Sequence, residues 1–418
     1  MTIRRSSLSG CLRAPPSKSY THRAFFCAAL AQGESRVESP LICDDTMATF
    51  DGLSRLGVTI ERDGESTRVT GFGKLRKPSE PISCKESGTT LRFMTAVCST
   101  IPHEVEISGG SSLLKRPVKD LADALQVLGA ACTTNGGYPP VHVKGPLKGG
   151  AVTIPGGISS QYVSALMLAA PLAEKPVEIV ISGRLQSRSY VEMTLHMQDM
   201  FGVRSEWTDD LTHFKITGGA YSPSLVRIEG DWSSAAFLLA AAATAGEKIR
   251  VSGLHDETLQ ADRCLLDVID KMNGHLSQDS GSVVVEKSEL KPIEVDVSDC
   301  PDLFPVICAM SAVVDGVSRI EGIRRLRIKE SNRVLAMTKG LDQMGIKTEE
   351  SEDFIIINGD RPKRATIDPQ NDHRIAMAFA TLGLCTDEVT ILDAECVSKS
   401  YPSFWSDLES LGAEVMVH

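Results

Sequence analysis

The chain contains the segment Leu56-Gly57-Val58-Thr59-Ile60, in which an amphipathic helical pattern ends at Leu-Gly and a β-branched strand pattern follows at once. Glycine accepts the positive φ that is often required just after a helix, and β-branched residues favour strands. The same junction recurs along the chain, and its last instance leads into Glu414-Val415-Met416-Val417. The junction therefore predicts an α/β unit that is used repeatedly.

The glycines at these junctions are almost evenly spaced. Each unit has the pattern βαβαββ, and its period is longer than that of solenoid or propeller repeats. Glycine is also common after helices in general, so part of the regularity can arise by chance. The second helices of six units end at Gly57, Gly129, Gly202, Gly274, Gly345 and Gly412, at intervals of 72, 73, 72, 71 and 67 residues.

Two segments, Ala165–Ala173 and Ala235–Ala243, are helical in pattern and apolar nearly all round. Such helices lie inside a protein and need other elements to cover them. Three units with inward-packed helices would form one globular half, and six would form two. No Ser/Gly-rich linker separates the halves, so we expect short strand crossings near Ala14–Pro16 and Arg227–Gly230.

Composition narrows the class of protein. The 418 residues suggest two domains, and the formal net charge of −10 argues against a general nucleic-acid surface. The 11 cysteines are scattered without a C-x-x-C pair, which is typical of reduced, buried thiols. Met1–Arg5 leads into no apolar signal segment, and no apolar run reaches the roughly 18 residues of a membrane span. We expect a cytoplasmic protein that binds neither membranes nor nucleic acids.

Basic residues sit where five helices are predicted to begin, although a helix N-terminus is already positive and favours acidic residues. One such case is unremarkable, but five indicate a strongly anionic ligand, with phosphate or carboxylate as the natural candidates. The five segments are Pro16–Arg23, Ser87–Arg92, Lys115–Pro117, Lys329–Arg333 and Asn371–Arg374.

Three of these segments allow closer predictions. Lys18 and Arg23 lie about one helical turn apart and form either an anion clamp or part of a solvated face. Gly88 would let a ligand approach backbone N–H groups, although Ser-Gly-Thr-Thr is also an ordinary helix cap. Pro117 fits the first position of a helix, which would place Arg116 at its cap, unless Arg116 is only a surface charge.

Two further positions have both a structural and a functional interpretation. Asp302 precedes an apolar helix, where it is either a simple N-cap or a carboxylate held beside cations as a base. Ser159–Gln161 begin another helix and serve either as plain caps or as hydrogen-bonding ligands.

The remaining polar segments argue against a cofactor. Lys329 and Arg333 are four residues apart and would share one face at a helix start, with Glu330 beside them. His373 has no second histidine at metal-binding spacing, so we expect no metal. Neither a P-loop nor a complete G-x-G-x-x-G motif is present, so nucleotide cofactors are not indicated.

Together, these segments resemble the 5-enolpyruvylshikimate-3-phosphate synthase family of enolpyruvyl transferases over essentially the whole chain. The resemblance implies a two-domain inside-out α/β barrel fold built from six βαβαββ repeats. Residues 1–15 and 229–418 would form the first domain and residues 16–228 the second, with the active site in the cleft between them. The motifs that carry the resemblance are Pro-Ser-Lys-Ser at 16–19 with Arg23, Ser-Gly-Thr-Thr at 87–90, Arg-Pro at 116–117, Ser-Ser-Gln-Tyr at 159–162, Glu-Gly-Asp at 229–231 with Ser-Ser at 233–234, Lys-Glu-Ser-Asn-Arg at 329–333 and Asn-Asp-His-Arg at 371–374.

The resemblance also implies a reaction. The enolpyruvyl group of phosphoenolpyruvate would pass to the 5-hydroxyl of shikimate 3-phosphate by addition and elimination, with release of phosphate and without a metal or organic cofactor. We expect a monomer whose partners are these two small molecules.

The same resemblance assigns roles to residues. Asp302 would accept the 5-hydroxyl proton, Glu330 and Lys399 are candidates for proton transfer at the methylene carbon, and Lys18 would also be catalytic. Shikimate 3-phosphate would be held by Lys18, Ser19, Arg23, Ser159, Ser160, Gln161, Ser187, Asp302 and Lys329. Phosphoenolpyruvate would be held by Lys18, Gly88, Arg116, Gln161, Arg333, Arg374 and Lys399.

Three residues depart from the family pattern, and two alternatives remain. Arg325 and Glu86 stand where the family often has Asn, and Phe93 stands where it often has Pro. One alternative is UDP-N-acetylglucosamine enolpyruvyl transferase, which typically has Lys-Asn at the position of Lys18-Ser19 and a reactive cysteine near that of Arg116. The other is a non-catalytic protein that binds phosphorylated metabolites or RNA ends.

Overall fold

The structure is a computed structural model that describes residues 1–417. We number the helices and the strands in chain order. The α-helices of the described chain are α1 (Lys18–Leu30), α2 (Asp44–Arg55), α3 (Gly88–Cys98), α4 (Lys119–Val127), α5 (Ser160–Ala169), α6 (Arg188–Met200), α7 (Trp232–Ala245), α8 (Leu265–Lys271), α9 (Phe304–Ala312), α10 (Arg333–Gln343), α11 (His373–Gly383) and α12 (Phe404–Ser410).

Short strands alternate with these helices. They are β1 (Thr2–Arg4), β2 (Leu8–Arg13), β3 (Gln32–Glu38), β4 (Thr59–Asp63), β5 (Ser66–Phe72), β6 (Ile82–Ser83), β7 (Val105–Ser108), β8 (Ala131–Asn135), β9 (Tyr138–Lys144), β10 (Gly150–Pro155), β11 (Val177–Ser182), β12 (Ser205–Trp207), β13 (His213–Ile216), β14 (Leu225–Arg227), β15 (Gly246–Ser252), β16 (His275–Asp279), β17 (Ser282–Glu286), β18 (Glu294–Asp296), β19 (Gly316–Glu321), β20 (Lys347–Glu350), β21 (Phe354–Gly359), β22 (Ala365–Ile367), β23 (Glu388–Ile391) and β24 (Glu414–Met416).

The chain separates into two compact units. Unit 1 comprises Met1–Pro15 and Glu229–His418, and unit 2 comprises Pro16–Ile228. Each unit contains three four-stranded sheets and its own hydrophobic core. Within residues 1–417, no helix is both long enough and apolar enough to cross a membrane.

Every sheet has one parallel pair of strands followed by two antiparallel pairings. In the sheet of order β6-β7-β9-β8, for example, β6 and β7 are parallel, whereas β9 is antiparallel to both β7 and β8. Helix α3 connects the parallel pair, and α4 leads from β7 to β8. Parallel neighbours need such a crossover, whereas the antiparallel pair needs only a tight turn. The predicted βαβαββ unit is therefore confirmed.

Three sheets are completed by strands from a distant part of the chain. Strand β1 pairs with both β23 and β24, so that Thr2 lies opposite Thr390 on one side and Met416 on the other. Strand β2 pairs in parallel with β15, and β14 pairs in parallel with β3. The N-terminal fifteen residues are thus part of two sheets of unit 1.

The first helix of each repeat is buried on all sides. In α7, thirteen of the fourteen residues are buried, with Thr244 the exception. Such burial explains why these segments are rich in Ala and Leu, because each large apolar side chain removed from water contributes about 1.5–3 kcal/mol. The two all-round apolar segments predicted from the sequence lie in or next to α5 and α7 and are buried as predicted, except for the partly buried Leu172 and Ala173.

The glycines that follow the second helices behave as predicted in five repeats. In the repeat that contains α8, however, Asn273 takes the positive φ of 66° and Gly274 does not. Asn is the residue that most readily replaces glycine in this conformation. The five glycines with positive φ are Gly57 (91°), Gly129 (88°), Gly202 (77°), Gly345 (79°) and Gly412 (106°).

Candidate active site

In unit 2, two guanidinium groups lie against the first turn of α3. The helix begins at Gly88, and Ser87 caps it by accepting a hydrogen bond from Thr90 N at 3.2 Å. A Cβ atom on Gly88 would lie 2.6 Å from Arg116 Nη1 and 2.8 Å from Arg92 Nη1. Only glycine leaves room for both cations, and together with the positive helix end they form a site suited to an anion.

Arg116 reaches this place from an irregular segment. It follows the 3-10 helix Leu113–Lys115 and donates its backbone N–H to Leu113 O at 3.0 Å, whereas α4 begins only at Lys119. The prediction that Arg116 caps a helix N-terminus with Pro117 at its first position is therefore wrong. The residue before a proline is disfavoured in helical conformation, and Arg116 is extended, with φ −94° and ψ 129°.

Gln161 is held at the start of α5. The helix begins at Ser160, and the Ser159 side chain accepts from Gln161 N at 3.3 Å, so the capping interpretation of Ser159 is confirmed. Arg92 Nη1 donates to Gln161 Oε1 at 2.5 Å, and Gln161 Nε2 donates to Thr89 Oγ1 at 3.0 Å. The Gln161 amide therefore has one defined orientation.

The first helix of unit 2 carries two cations in different surroundings. Lys18 is its first residue, as predicted, and its Nζ lies 2.9 Å from Asp45 Oδ2. Arg23 is fully buried and donates to Thr194 Oγ1 at 2.8 Å and to Tyr190 O at 2.8 Å. Burial lowers the pKa of Arg23 to about 10, and the group remains a cation at neutral pH.

Two serines of the predicted set lie at helix starts of the same unit. Ser19 follows Lys18 in α1, and its carbonyl accepts from Arg23 Nη1 at 3.0 Å. Ser187 precedes α6, is 2% exposed and has a φ of 54°. A non-glycine residue in this conformation is strained, and such strain concentrates at functional sites.

In unit 1, Arg333 is the centre of a cluster of ion pairs. It is the first residue of α10 and contacts Asp302 at 2.7 Å, Glu330 at 2.7 Å and Asp372 at 2.9 Å. Burial lowers the pKa of Arg333, but the three carboxylates outweigh burial and raise it above its ordinary value. The Arg333 guanidinium is therefore fixed in direction and permanently charged.

Arg374 completes this cluster from α11. Its Nη2 contacts Asp302 Oδ2 at 3.0 Å, and its Nη1 donates to Ser233 Oγ at 2.5 Å. Asp372 caps α11 by accepting from Arg374 N at 3.0 Å while its other oxygen accepts from Arg333 Nε. The sequence motif contained Asp372, but its role in orienting both arginines was not predicted.

Asp302 lies between the two arginines. It belongs to the 3-10 helix Pro301–Leu303, and the residue that precedes α9 is Leu303, so the simple N-cap alternative is wrong. Burial raises the pKa of the Asp302 carboxyl, but Arg374, Arg333 and Lys329 outweigh burial and hold it well below its ordinary range. Asp302 is thus ionised at neutral pH.

Lys329 lies just before α10, after the 3-10 helix Arg324–Ile328. The prediction that Lys329 and Arg333 share one face of a helix is therefore wrong, although both lie close enough to Asp302 to interact with its charge. Burial, followed by repulsion from Arg325 and Arg333, lowers the pKa of Lys329 to about 8, against the attraction of Asp302.

Lys399 and Asp262 are further buried ionisable groups of unit 1. Lys399 ends the 3-10 helix Ala394–Lys399 and donates to Asn371 O at 2.6 Å. Burial, followed by repulsion from Asp302, raises the pKa of Asp262 to about 7. The sequence reading missed Asp262, and nothing in its local pattern distinguishes it from an ordinary surface carboxylate. Within residues 1–417, no group of three or more His, Cys, Asp or Glu side chains could hold a metal ion.

Comparison with known proteins gives a consistent result. The sequence profile of the EPSP synthase (3-phosphoshikimate 1-carboxyvinyltransferase) family matches residues 3–408. A 3-phosphoshikimate 1-carboxyvinyltransferase of Dehalococcoides mccartyi is 42% identical over 414 residues, which cover 99% of this chain and 98% of that protein. The protein of the same name from Methanocorpusculum labreanum is 40% identical over 420 residues and covers 99% of each chain.

Solved structures agree with the sequence comparison. An EPSP synthase from Acinetobacter baumannii has a TM-score of 0.82 and 27% identity, with 100% of this chain and 99% of that chain covered. The enolpyruvyl transferase NikO from Streptomyces tendae, at 16% identity, shares the fold with a TM-score of 0.79. The predicted two-domain inside-out α/β architecture is therefore confirmed.

Proposed function

The chain belongs to the EPSP synthase family, and from this premise we propose that it transfers the enolpyruvyl group of phosphoenolpyruvate to the 5-hydroxyl of shikimate 3-phosphate. The hydroxyl oxygen bonds to C2 of phosphoenolpyruvate while a proton joins the methylene carbon. A proton then leaves that carbon and phosphate departs, which gives 5-enolpyruvylshikimate 3-phosphate on the route to chorismate and the aromatic amino acids. The steps need proton transfer and charge stabilisation alone.

The observation that carries the proposal is the position of Arg333 and Arg374, which both contact Asp302. The carboxylate of phosphoenolpyruvate offers the same pair of oxygens and competes with Asp302 for the two guanidinium groups. Once the substrate carboxylate shares these guanidinium groups, its negative charge offsets part of their positive charge, and the pKa of Asp302 rises. Substrate binding thereby prepares Asp302 to accept the 5-hydroxyl proton.

Unit 2 supplies the second group of ligands. The start of α3 at Gly88, with Arg116 beside it, suits the phosphate of phosphoenolpyruvate, and the fixed amide of Gln161 offers directed hydrogen bonds. Phosphoenolpyruvate is bound by Lys18, Gly88, Arg116, Gln161, Arg333, Arg374 and Lys399, and shikimate 3-phosphate by Lys18, Ser19, Arg23, Ser159, Ser160, Gln161, Ser187, Asp302 and Lys329.

Proton transfer at the methylene carbon involves Glu330 and Lys399. Glu330 Oε2 accepts from Arg333 Nη2 at 2.7 Å, so this carboxylate lies next to a guanidinium group assigned to the substrate. Lys399 donates to Asn371 O, two residues before the helix that carries Arg374. The two groups can thus reach the same region of unit 1 as the proposed substrate carboxylate. Lys18 takes part in catalysis by neutralising charge on the phosphate.

The enzyme acts as a cytoplasmic monomer on these two small molecules. It requires neither a metal nor an organic cofactor, because the addition and elimination consist of proton transfer and charge stabilisation. Neither a membrane nor a nucleic acid is a partner.

The test is a coupled assay of phosphate release from purified protein. We expect release only when phosphoenolpyruvate and shikimate 3-phosphate are both present, and an unchanged rate after treatment with EDTA. Release with UDP-N-acetylglucosamine as the acceptor would identify the sister activity. Heat of binding without any phosphate release would identify a binding protein instead.

The buried cysteines support the first outcome over the sister activity. Cys98 and Cys132, the thiols nearest to Arg116 in the sequence, are 0% and 1% exposed. Burial raises the pKa of both thiols, that of Cys132 to about 12. Thiols in such surroundings are poor nucleophiles and poor acids at neutral pH.

A further inference from the structure

A loop of unit 2 carries Arg116, and its path depends on one acidic side chain. The loop follows β7 and passes through Gly109 and Gly110 to the 3-10 helix Leu113–Lys115. Glu86 lies on the neighbouring segment that leads into α3. The proposed reaction assigns Glu86 no role.

Both hydrogen bonds from the loop to Glu86 end on a single carboxylate oxygen. Ser112 Oγ donates to Glu86 Oε2 at 2.5 Å, and Leu113 N donates to the same oxygen at 3.0 Å. The second bond satisfies a backbone N–H at the start of the 3-10 helix, which no intrahelical carbonyl can reach. A backbone bond from Gly110 N to Lys85 O, at 2.6 Å, lies beside this pair.

Gly110 shows how closely the two segments are packed. A Cβ atom built there would overlap the Glu86 carboxylate, with Oε1 as its nearest neighbour. Both carboxylate oxygens of Glu86 therefore contact the loop. Oε2 accepts the two hydrogen bonds, and Oε1 is in van der Waals contact with Gly110. Asn at position 86 is one methylene shorter and cannot keep both.

The same two segments hold the two parts of the proposed anion site. Glu86 is two residues before Gly88, where α3 begins, and Arg116 N donates to Leu113 O. The Arg116 guanidinium lies so near Gly88 that a methyl group would not fit between them. A change in the distance between the segments therefore moves Arg116 relative to the N-terminus of α3.

We propose that Glu86 is a positioning residue that sets the affinity for phosphoenolpyruvate by fixing the Arg116 loop against the start of α3. The proposal rests on the function proposed above. It assigns to Glu86 no contact with substrate. A small displacement of a cationic side chain is sufficient to lower the affinity for a bound anion, because charge-assisted hydrogen bonds depend steeply on geometry.

The test compares Glu86→Ala and Glu86→Gln with the wild-type enzyme. We expect Glu86→Ala to raise the KM for phosphoenolpyruvate at least about tenfold, with the KM for shikimate 3-phosphate changed by less than about twofold. Glu86→Gln keeps an oxygen that can accept both hydrogen bonds and should restore most of the affinity. Glu104→Gln, at an exposed position before β7, is the matched control and should behave as wild type.

A double-mutant cycle shows whether Glu86 acts through Arg116. In an Arg116→Ala background, Glu86→Ala should have no further effect on kcat/KM for phosphoenolpyruvate. Additive effects, or equal rises in both KM values, would overturn the proposal. If Glu86→Ala does not fold, Ser112→Ala removes one of the two bonds and should raise the KM for phosphoenolpyruvate by about threefold. Turnover of the wild-type enzyme tests the proposed function by itself. A failure of the proposed function can therefore be distinguished from a failure of the proposed role of Glu86.

Discussion

Replacement of Asp302 by Asn is the most informative perturbation of the cluster in unit 1. The side chain keeps its size, but it loses its charge and its ability to accept a proton. Asp302 contacts Arg333 at 2.7 Å and Arg374 at 3.0 Å, and it is 17% exposed. A hydrogen bond to a charged group contributes about 1.5–3 kcal/mol. The amide oxygen can replace one of these bonds, so we expect the free energy of unfolding to fall by about 1–3 kcal/mol.

Catalysis and the affinity for phosphoenolpyruvate should respond differently to Asp302→Asn. Without the base, kcat should fall at least about a hundredfold, which corresponds to about 2.7 kcal/mol of activation free energy. The affinity for phosphoenolpyruvate should stay the same or increase, because the carboxylate that competes for Arg333 and Arg374 is gone. Weaker binding of shikimate 3-phosphate is expected, since the charged contact to its 5-hydroxyl is lost.

Three measurements check this prediction. Phosphate release at saturating substrates gives kcat, calorimetric titration in the presence of shikimate 3-phosphate gives the affinity for phosphoenolpyruvate, and thermal unfolding gives stability. Asp315→Asn, at an exposed position after the end of α9, is the control and should leave all three values unaltered. Near-normal turnover would remove Asp302 from its role as base. A tenfold loss of affinity for phosphoenolpyruvate would refute the competition between the two carboxylates.

Two further changes test other parts of the site. Gly88→Ala should displace the Arg116 guanidinium and raise the KM for phosphoenolpyruvate in steady-state kinetics. Gly157→Ala is the control and should leave this KM unchanged, because nothing lies within 4 Å of the added methyl group. Similar KM values for the two variants would contradict the prediction. Because the pKa of Lys329 is lowered to about 8, its positive charge is lost as pH rises through 8, and the affinity for shikimate 3-phosphate should fall there. Arg325→Asn removes a charge that depresses this pKa, so the midpoint in a pH series of binding measurements should move upward; an unmoved midpoint would exclude Lys329 as the titrating group.

The repeat could be predicted from the sequence because its signals are local. A helix that ends at glycine and is followed by β-branched residues specifies the turn and the strand within a few positions. The wrong prediction for Gly274 and the correct predictions for the other five glycines have the same cause. A positive φ was required near the end of α8, but Asn273 could adopt it as well, and a pattern based on glycine alone shifts the position by one residue.

For the candidate site residues, the sequence correctly predicted positions at the starts of regular helices. Lys18 and Gly88 are the first residues of their helices, as their motifs indicated. Arg116 and Lys329 instead lie in irregular segments next to 3-10 helices, which have no strong sequence signature.

Contacts between side chains that are far apart in sequence could not be predicted either. The approach of Asp262 to Asp302 and Arg374 depends on the packing of three elements that are far apart in sequence. Local pattern contains no information on such contacts. The hydrogen bonds of Glu86 to residues 112 and 113 are of the same kind, since they join two neighbouring strand ends of one sheet.

The pairing of β1 with β23 and β24 has a consequence for protein synthesis. Strand β1 leaves the ribosome long before its partners are synthesised, because Thr2 lies opposite Thr390 and Met416. Residues 16–228 contain every strand of their own sheets, so they can complete them while translation continues. The N-terminal strand meanwhile has unpaired backbone groups on both edges, which is the condition under which strands associate with other chains. A nascent chain that ends before residue 388 therefore contains no native partner strand for β1.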